Sequence, residues 1–565
     1  MTRLRPSLAC LPLLISMLVM LPLAPCWADG MENSPAYVHN EVPDDPYIAS
    51  PRADHPRSPA MRFTRDSFFA VQVNVDALGQ NIVGDAANEP SIGVDWTDLS
   101  KMVIGWRQFD TITNNFRQAG YGYTTNDGLS WTFPGVIDPG VFRSDPVLDS
   151  DSSGKLYYNS LTYDGDFFCD VYGSSSGGMS WDSGTPAWGG DKQWMAIDRS
   201  GGVGDGHIYS NWNSYYTSCS PGFFTRSSDG NDSYDNCTQI PDSPYWGTLI
   251  VAPDGRLFSM GSGGGSFVVA RSSNAQISGQ TVSWDFSSDV SLNGSIQSGT
   301  GPNPGGLLGQ ACVATIPYAN PDGYAVSVLC SVNPPGVDPL DVYFARSIDG
   351  GLTWSNPVRV NDDVGNNWQW FGTMSASPSG RIDVVWLDTR DNPGTYLSSL
   401  YYSYSEDGGL TWSANERLSD AFDPHLGWPN QNKMGDYFDM VSDDSGFRLA
   451  WTATFNGEQD VYYGRKTLGS TAVGDGSAIS VALLSADSNP FAQSTTIRYI
   501  VPQDVFVTLN AYDVLGRKVA TLVSDQHMAG NFQAQFDGRN LPAGVYFLRL
   551  NAGDFVDSKK MLLLK

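Results

Sequence analysis

One eight-residue string recurs through the middle of the chain, and it limits the fold more than any other feature. Ser-x-Asp-x-Gly-x-Thr-Trp is complete at Ser347 to Trp354 (SIDGGLTW) and at Ser405 to Trp412 (SEDGGLTW). Degenerate copies stand at Thr124 to Trp131 (TTNDGLSW) and Ser174 to Trp181 (SSSGGMSW). Weaker echoes follow at Ser227 to Tyr234 and, with an insertion, from Ser272 to Trp284. Such a string makes a hairpin: Asp accepts from backbone amides, Gly takes the left-handed backbone, and Trp packs beneath. A second unit, a turn and then a strand rich in aromatics, precedes each copy. It reads KMVIGW from Lys101, GKLYYNS from Gly154, GHIYSNW from Gly206 and GRLFSMG from Gly255. It continues as GYAVSVLC from Gly323, GRIDVVW from Gly380 and GFRLAWT from Gly446. These units are spaced at roughly 50 to 70 residues, the interval of small four-stranded sheets repeated about an axis. The last unit ends in DVYYGRK (Asp460 to Lys466) with no string after it, and Phe68 to Val75 (FFAVQVNV) is the candidate strand to complete it.

The eight-residue strings resemble the Asp-box, or BNR repeat, of sialidases and related proteins. The resemblance implies an all-β fold, a sialidase-like β-propeller. Counting the turn-plus-strand units favours seven blades; six, the sialidase number, is the alternative. In that family the box lies on the outer part of each blade and carries no chemistry.

The ends of the chain differ from its middle. Arg3 and Arg5 precede an apolar run from Leu8 to Leu23, and small residues surround Ala28, so residues 1–28 read as a signal peptide. Residues 29–67, with Pro35, Pro43, Pro46, Pro51, Pro56 and Pro59, read as an extended arm without its own core. The propeller is expected over 68–466, and 467–480, rich in Gly, Ser, Ala and Thr, is a linker. From 481 to 565 alternating apolar residues and Gly-bearing turns indicate a small Ig-like β-sandwich. The strings NPF at Asn489, VTLNAYDVLGRKVATLV at Val507, LPAGVYFLRL at Leu541 and KKMLLLK at Lys559 resemble the C-terminal sorting domain of the type IX secretion system. That resemblance implies passage through the periplasm of a Gram-negative bacterium to the outer-membrane surface or the medium, with the type IX machinery as partner. No further apolar run is long enough for a transmembrane segment in the mature chain.

With 60 Asp and Glu against 33 Lys and Arg, the net charge of −27 repels phosphate backbones, so nucleic acid is excluded as a partner. Export to an oxidising compartment permits disulfides. Of the cysteines beyond the signal peptide, Cys219 is paired with Cys237 across a loop and Cys312 with Cys330 across neighbouring strands; Cys169 is left over.

In a propeller, the starts of first strands and the ends of second strands share one rim. Starts supply Glu89, Arg143, Asp145, Asp191, Lys192, Asp436 and Tyr437; ends supply Arg107, Asp388 and Arg390. By analogy with sialidases, Arg107, Arg143 and Arg390 would clamp a substrate carboxylate. Asp145 or Asp191 would be the general acid, and Tyr437 with Glu89 the nucleophilic pair. Lys192, Asp388 and Asp436 would complete the substrate-binding set. The Arg-Ile-Pro motif of sialidases is absent, which leaves a second reading open: each arginine pairs with a neighbouring acid and ties blades together. A carbohydrate or glycoprotein ligand suits both an exo-glycosidase and a non-catalytic adhesion propeller. No cofactor is expected and no metal ligand set is present. Asp149 to Gly154 would admit calcium, but equivalent turns before Arg256, Arg381 and Phe447 make it an ordinary blade turn. Gly173 to Gly177 matches a serine-hydrolase elbow only formally, because it falls within a box hairpin. Trp368 and Trp370 (NNWQWFG) are candidates to stack on sugar rings, with at least one of them expected in the core.

Overall fold

The computed structural model describes residues 45–263, 266–468 and 484–564, the last apart from 487–488, 502–504, 515, 528–529 and 553–554. The signal peptide and nearly all of the 467–480 linker lie outside the described residues. The chain divides into two compact units at residues 469 and 470. It is all-β; among the described residues the one helical element is a short 3-10 turn at Arg52–Asp54.

In the first unit the sheets follow one another in chain order, each an antiparallel meander. Their first strands are Ala86–Val94, Ser144–Ser150, Trp194–Ile197, Leu249–Val251, Cys312–Pro317, Gln369–Ala376 and Asp439–Asp443. Each first strand lies against the next, and the seventh lies against the first, so the series closes on itself. Side-chain oxygens stitch this inner ring by accepting backbone N–H groups that a sheet edge leaves unpaired. Ser91 Oγ accepts from Leu148 (2.9 Å), Asp149 from Ile197 (2.9 Å), Thr248 from Val313 (3.0 Å), Ser375 from Ser442 (2.9 Å) and Asp439 from Ile92 (3.0 Å).

The seventh sheet joins the two ends of the unit. Gly446–Ala453 and Asp460–Thr467 follow Asp439–Asp443, and Phe68–Gln72 then pairs antiparallel with Asp460–Thr467. Arg62–Arg65 adds a further strand outside Phe68–Gln72, and Arg57–Pro59 pairs with Gln80–Ile82. A boundary at residue 68 therefore cuts through this sheet: the proline-rich arm supplies its outermost strand, Arg62–Arg65, and forms a separate two-stranded ribbon through Arg57–Pro59. Prolines confined to such edge positions remove no ladder hydrogen bond, which is why a Pro-rich segment can still pair.

The recurrent hairpins join third to fourth strands. Asp349 accepts from the backbone of Leu352 (3.1 Å) and Thr353 (2.9 Å), and the Thr353 hydroxyl closes on its other oxygen (2.5 Å). Asp407 repeats the pattern with Leu410 and Thr411, and Asp229 with Asp232 and Ser233. Asn126 and Ser176 take the same place in the degenerate copies, accepting from Ser130 and Ser180. The terminal tryptophans reach the preceding sheet. Trp131 packs on Tyr463, Trp181 on Tyr121, Trp284 on Phe224 and Trp412 on Phe344, with ring centroids 5.3 to 5.8 Å apart. Trp354 instead donates to Ser288 Oγ of the sheet before it (3.0 Å). The hairpins thus hold neighbouring sheets together far from the inner ring.

Cys219 and Cys237 form a disulfide. The pairing of Cys312 with Cys330 is corrected: both are free, as is Cys169. The register explains it. Cys312 stands opposite Leu329, so Cys330 lies one residue further on and its side chain leaves the opposite face. Cys312 packs in the core between the fifth and sixth sheets, and Cys330 in that between the fourth and fifth.

The second unit comprises two antiparallel sheets. One runs Leu484–Ala486, Ser494–Val501, Gly530–Asp537; the other runs Lys518–His527, Val505–Asp513, Gly544–Ala552, Phe555–Leu563. Phe491, Leu509, Phe536, Leu548 and Met561 share its core.

Candidate functional site

The starts of the first strands are irregular in a consistent way. Glu89, Asp145, Lys192, Trp246 and Phe371 all take positive φ, between 46° and 56°, and Gly435 takes 89° at the corresponding place in the seventh sheet. Bulges at Asn88/Ser91 and Trp370/Thr373 accompany them. A left-handed backbone costs a non-glycine residue about 1–2 kcal/mol, and here it turns charged side chains toward one another.

Lys192 is the centre. Its Nζ lies 3.0 Å from Asp145, 2.8 Å from Asp436 and 3.5 Å from Asp191, with all four side chains wholly buried. Lys433 donates to Asp436 (2.8 Å) and stands 3.5 Å from Glu89, whose other oxygen is 3.2 Å from Arg107 Nε. Of the residues proposed from sequence spacing, Glu89, Asp145, Asp191, Lys192, Asp436 and Arg107 lie together in the structure. Spacing missed Lys433, although that residue stands only three places before Asp436. Burial pushes the Glu89 carboxyl well above the usual range, against the pull of Arg107 and Lys192.

The remaining predicted residues lie in other networks. Arg143 pairs with Asp170 (2.8 Å) and Asp138 (2.9 Å). Arg390 pairs with Asp388 (2.9 Å) and Asp362 (2.6 Å), and its guanidinium lies over Tyr401. The three arginines of the expected clamp thus pair with different acids: Arg107 with Glu89, Arg143 with Asp138 and Asp170, and Arg390 with Asp362 and Asp388. The Tyr437 hydroxyl donates to the Pro146 carbonyl (2.8 Å), and its ring packs edge-on to Trp194. Burial, with the nearby Glu89 and Asp145 carboxylates, drives its pKa far upward, the reverse of what a nucleophilic phenolate needs.

A roof covers the cluster. Between the fourth and fifth sheets, Ser298–Thr300 and Asn303–Leu307 form a ribbon. Asn303 donates to Gly435 O (2.8 Å) and accepts from Met434 N (2.9 Å), while Leu307 N donates to Asp436 (2.7 Å) and Gly305 N to Asn432 O (2.7 Å). The fit is close: a Cβ on Gly306 would stand 2.7 Å from Asp436 Oδ1, and one on Gly435 2.5 Å from Glu89 Cγ. The rim residues are consequently enclosed rather than presented to solvent.

Further along the same inner strands, residues of all seven sheets line a half-open cavity of about 570 Å³. Ile92, Leu148, Ile197, Val251, Val313 and Met440 are among its walls. Among the described residues no group of three or more His, Cys, Asp or Glu side chains is arranged to hold a metal ion. In the Asp149 to Gly154 turn, protein donors occupy the carboxylates: Ile197 N and Arg199 on Asp149, Ser153 N and Lys155 N on Asp151. Ser174 and Ser176 sit at the recurrent hairpin, where their hydroxyls accept from Gly178 and Ser180.

A family model described as a secretion system C-terminal sorting domain matches residues 489–564. That domain marks the chain for export, to the cell surface or beyond it. No helix among the described residues is long and apolar enough to cross a membrane. No curated protein matches the chain. Among solved structures it is similar to a protein of unknown function from Dyadobacter fermentans, at 14% identity and a TM-score of 0.40, covering 72% of this chain and 99% of that one. It is also similar to an alpha-L-arabinanase of Penicillium chrysogenum, at 12% identity and a TM-score of 0.35, covering 72% and 98%. A Trypanosoma rangeli sialidase is similar at 11% identity and a TM-score of 0.34, covering 89% of each chain.

Proposed function

We propose that the chain is a type IX secretion substrate whose N-terminal unit is a seven-bladed Asp-box propeller acting as a non-catalytic, carbohydrate-binding scaffold at the cell surface or in the medium. Seven successive sheets with contiguous first strands favour seven blades over six. Export by the type IX route is supported by the sorting-domain match together with the signal-like N-terminus.

One observation carries the choice of binding over hydrolysis. Every group that a sialidase-like mechanism would need is already engaged inside the protein: Arg143 and Arg390 by their own acids, Tyr437 by a backbone carbonyl, Asp145 by Lys192. An arginine already held by two acids of its own is poorly placed to clamp a substrate carboxylate, and a neutral buried tyrosine is a poor nucleophile.

Mature protein is to be incubated with fluorogenic sialosides and arabinofuranosides beside Tyr437→Phe and Arg390→Ala variants. Equal, background rates in all three are expected. Turnover by the unsubstituted protein alone overturns the non-catalytic reading. For export, deletion of 481–565 should retain the protein in the periplasm.

A further inference from the structure

We infer that a row of aromatic rings beside the roof is a binding site for a neutral polysaccharide. Trp368 immediately precedes the first strand of the sixth sheet, Tyr396 lies just before its third strand, and His425 and Trp428 lie on the connection to the seventh. Their rings follow one another at centroid distances of 6.3 Å, 5.0 Å and 4.9 Å. Tyr396 is 40% exposed, the other three partly so, and Leu426 between the last two is 42% exposed. Trp370, by contrast, is fully buried core with its indole N–H on Ser398, so only one tryptophan of NNWQWFG is available.

The chemistry of the row is mixed. Trp428 donates its indole N–H to Pro424 O (2.8 Å), which fixes the ring. His425 Nε2 is buried and has no hydrogen-bond partner among the described residues, so this ring joins the row by its carbon edge and face and not by that nitrogen. The surrounding loops bring Asn366, Asn392 and Thr395. The arginines of the sixth sheet are engaged, Arg390 by Asp388 and Asp362 and Arg417 by Asp391. With these cations neutralised and a chain net charge of −27, an anionic ligand is disfavoured. A ligand that suits the row offers apolar C–H faces to successive rings and hydroxyls to the polar groups at their edges. Consecutive uncharged sugar rings have that alternation.

This rests on the reading of the ring as a carbohydrate-binding scaffold but moves the site away from the enclosed charged cluster. The test is affinity electrophoresis of mature protein through gels containing dextran, laminarin, galactomannan or linear arabinan. At least one polysaccharide should retard it. Tyr396→Ala should weaken that retardation about tenfold, as loss of one stacked ring would, and Tyr396→Ala/Trp368→Ala should abolish it while circular dichroism shows the β fold retained, at some cost in melting temperature because Trp368 also packs against the core. Should the double variant misfold, Tyr396→Ser and His425→Ala are read singly instead. Retardation that survives these substitutions overturns the site but leaves the scaffold reading standing. No retardation by any of the four, or binding to a proline-rich peptide alone, overturns both.

Discussion

Lys192 and Asp436 belong to the third sheet and to the entry of the seventh, yet their charged groups meet at 2.8 Å with both side chains wholly buried. The ammonium answers Asp145 and Asp191 as well, so the ring is tied at its axis by a lysine amid carboxylates. Taking charges out of water is costly, and such a knot is worth little against a hydrophobic replacement of the whole.

Removing one member is a different matter. Lys192→Met takes the shared ammonium from three buried carboxylates, of which Asp436 keeps Lys433, and a loss of about 3–5 kcal/mol is expected. Chemical denaturation of the unit should show it. Lys192→Met combined with Asp145→Asn should recover part of the loss, because a carboxylate left without its ammonium is removed with it.

The pH dependence has two opposed parts. Burial works against ionised Asp407, but hydrogen bonds from Thr411 and Ser405 hold its carboxyl down to about 2. An unfolded Asp titrates at about 4, so between those values the unfolded chain takes up the proton first and stability falls as acid is added. Burial raises Asp460 to about 7, with Glu458 adding to it against the hydrogen bond from Asn74. There the folded chain holds the proton, and stability falls as pH rises from about 4 toward 7. Melting curves across the range should show a shallower acid limb in Asp407→Asn and a shallower upper slope in Asp460→Asn, the other shifted carboxyls supplying the rest.

Alkylation before and after reduction, followed by mass spectrometry, should find Cys219 and Cys237 protected as one disulfide and Cys169, Cys312 and Cys330 as thiols. Denaturant is required for labelling the three, since burial shields all of them and pushes Cys312 up to about 12. Reduction should cost about 3 kcal/mol, the scale for a loop of this size.

Gly409 takes φ +82° in its hairpin, and a Cβ there would stand 2.0 Å from the Phe344 ring of the preceding sheet. Gly409→Ala should therefore destabilise by about 2–4 kcal/mol, from strain and overpacking together. Gly457 is also left-handed, but a Cβ added there has nothing within 4 Å. Gly457→Ala should cost only the backbone strain, about 1–2 kcal/mol. The difference between their denaturation midpoints isolates the packing of the hairpin on its neighbour.

What could be read from the sequence was whatever is written locally. Asp349 and Thr353 are four residues apart, so their hairpin is visible in any copy of the string, as is the strand entry that carries Glu89, Asp145 and Lys192. Partners far apart in the chain were not visible. Nothing around Asn303, in a run of Gly, Ser and Pro, signals that its amide will hold Met434 and Gly435 and so roof the cluster. Cys312 and Cys330 failed for a subtler reason: adjacency of strands was right, but a register of one residue decides the face, and only pairing with Leu329 reveals it. The aromatic row has the same character, since its rings come from three loops.

The seam of the ring has a temporal meaning. Phe68–Gln72 is made early and its mate, Asp460–Thr467, last among the strands of the first unit, so a product cut short ahead of residue 460 is left with a bare strand edge and no latch. Only a chain that carries its own far end can lock, and an incomplete one stays open to proteases. Closure thus doubles as a check that every sheet of the ring has been made.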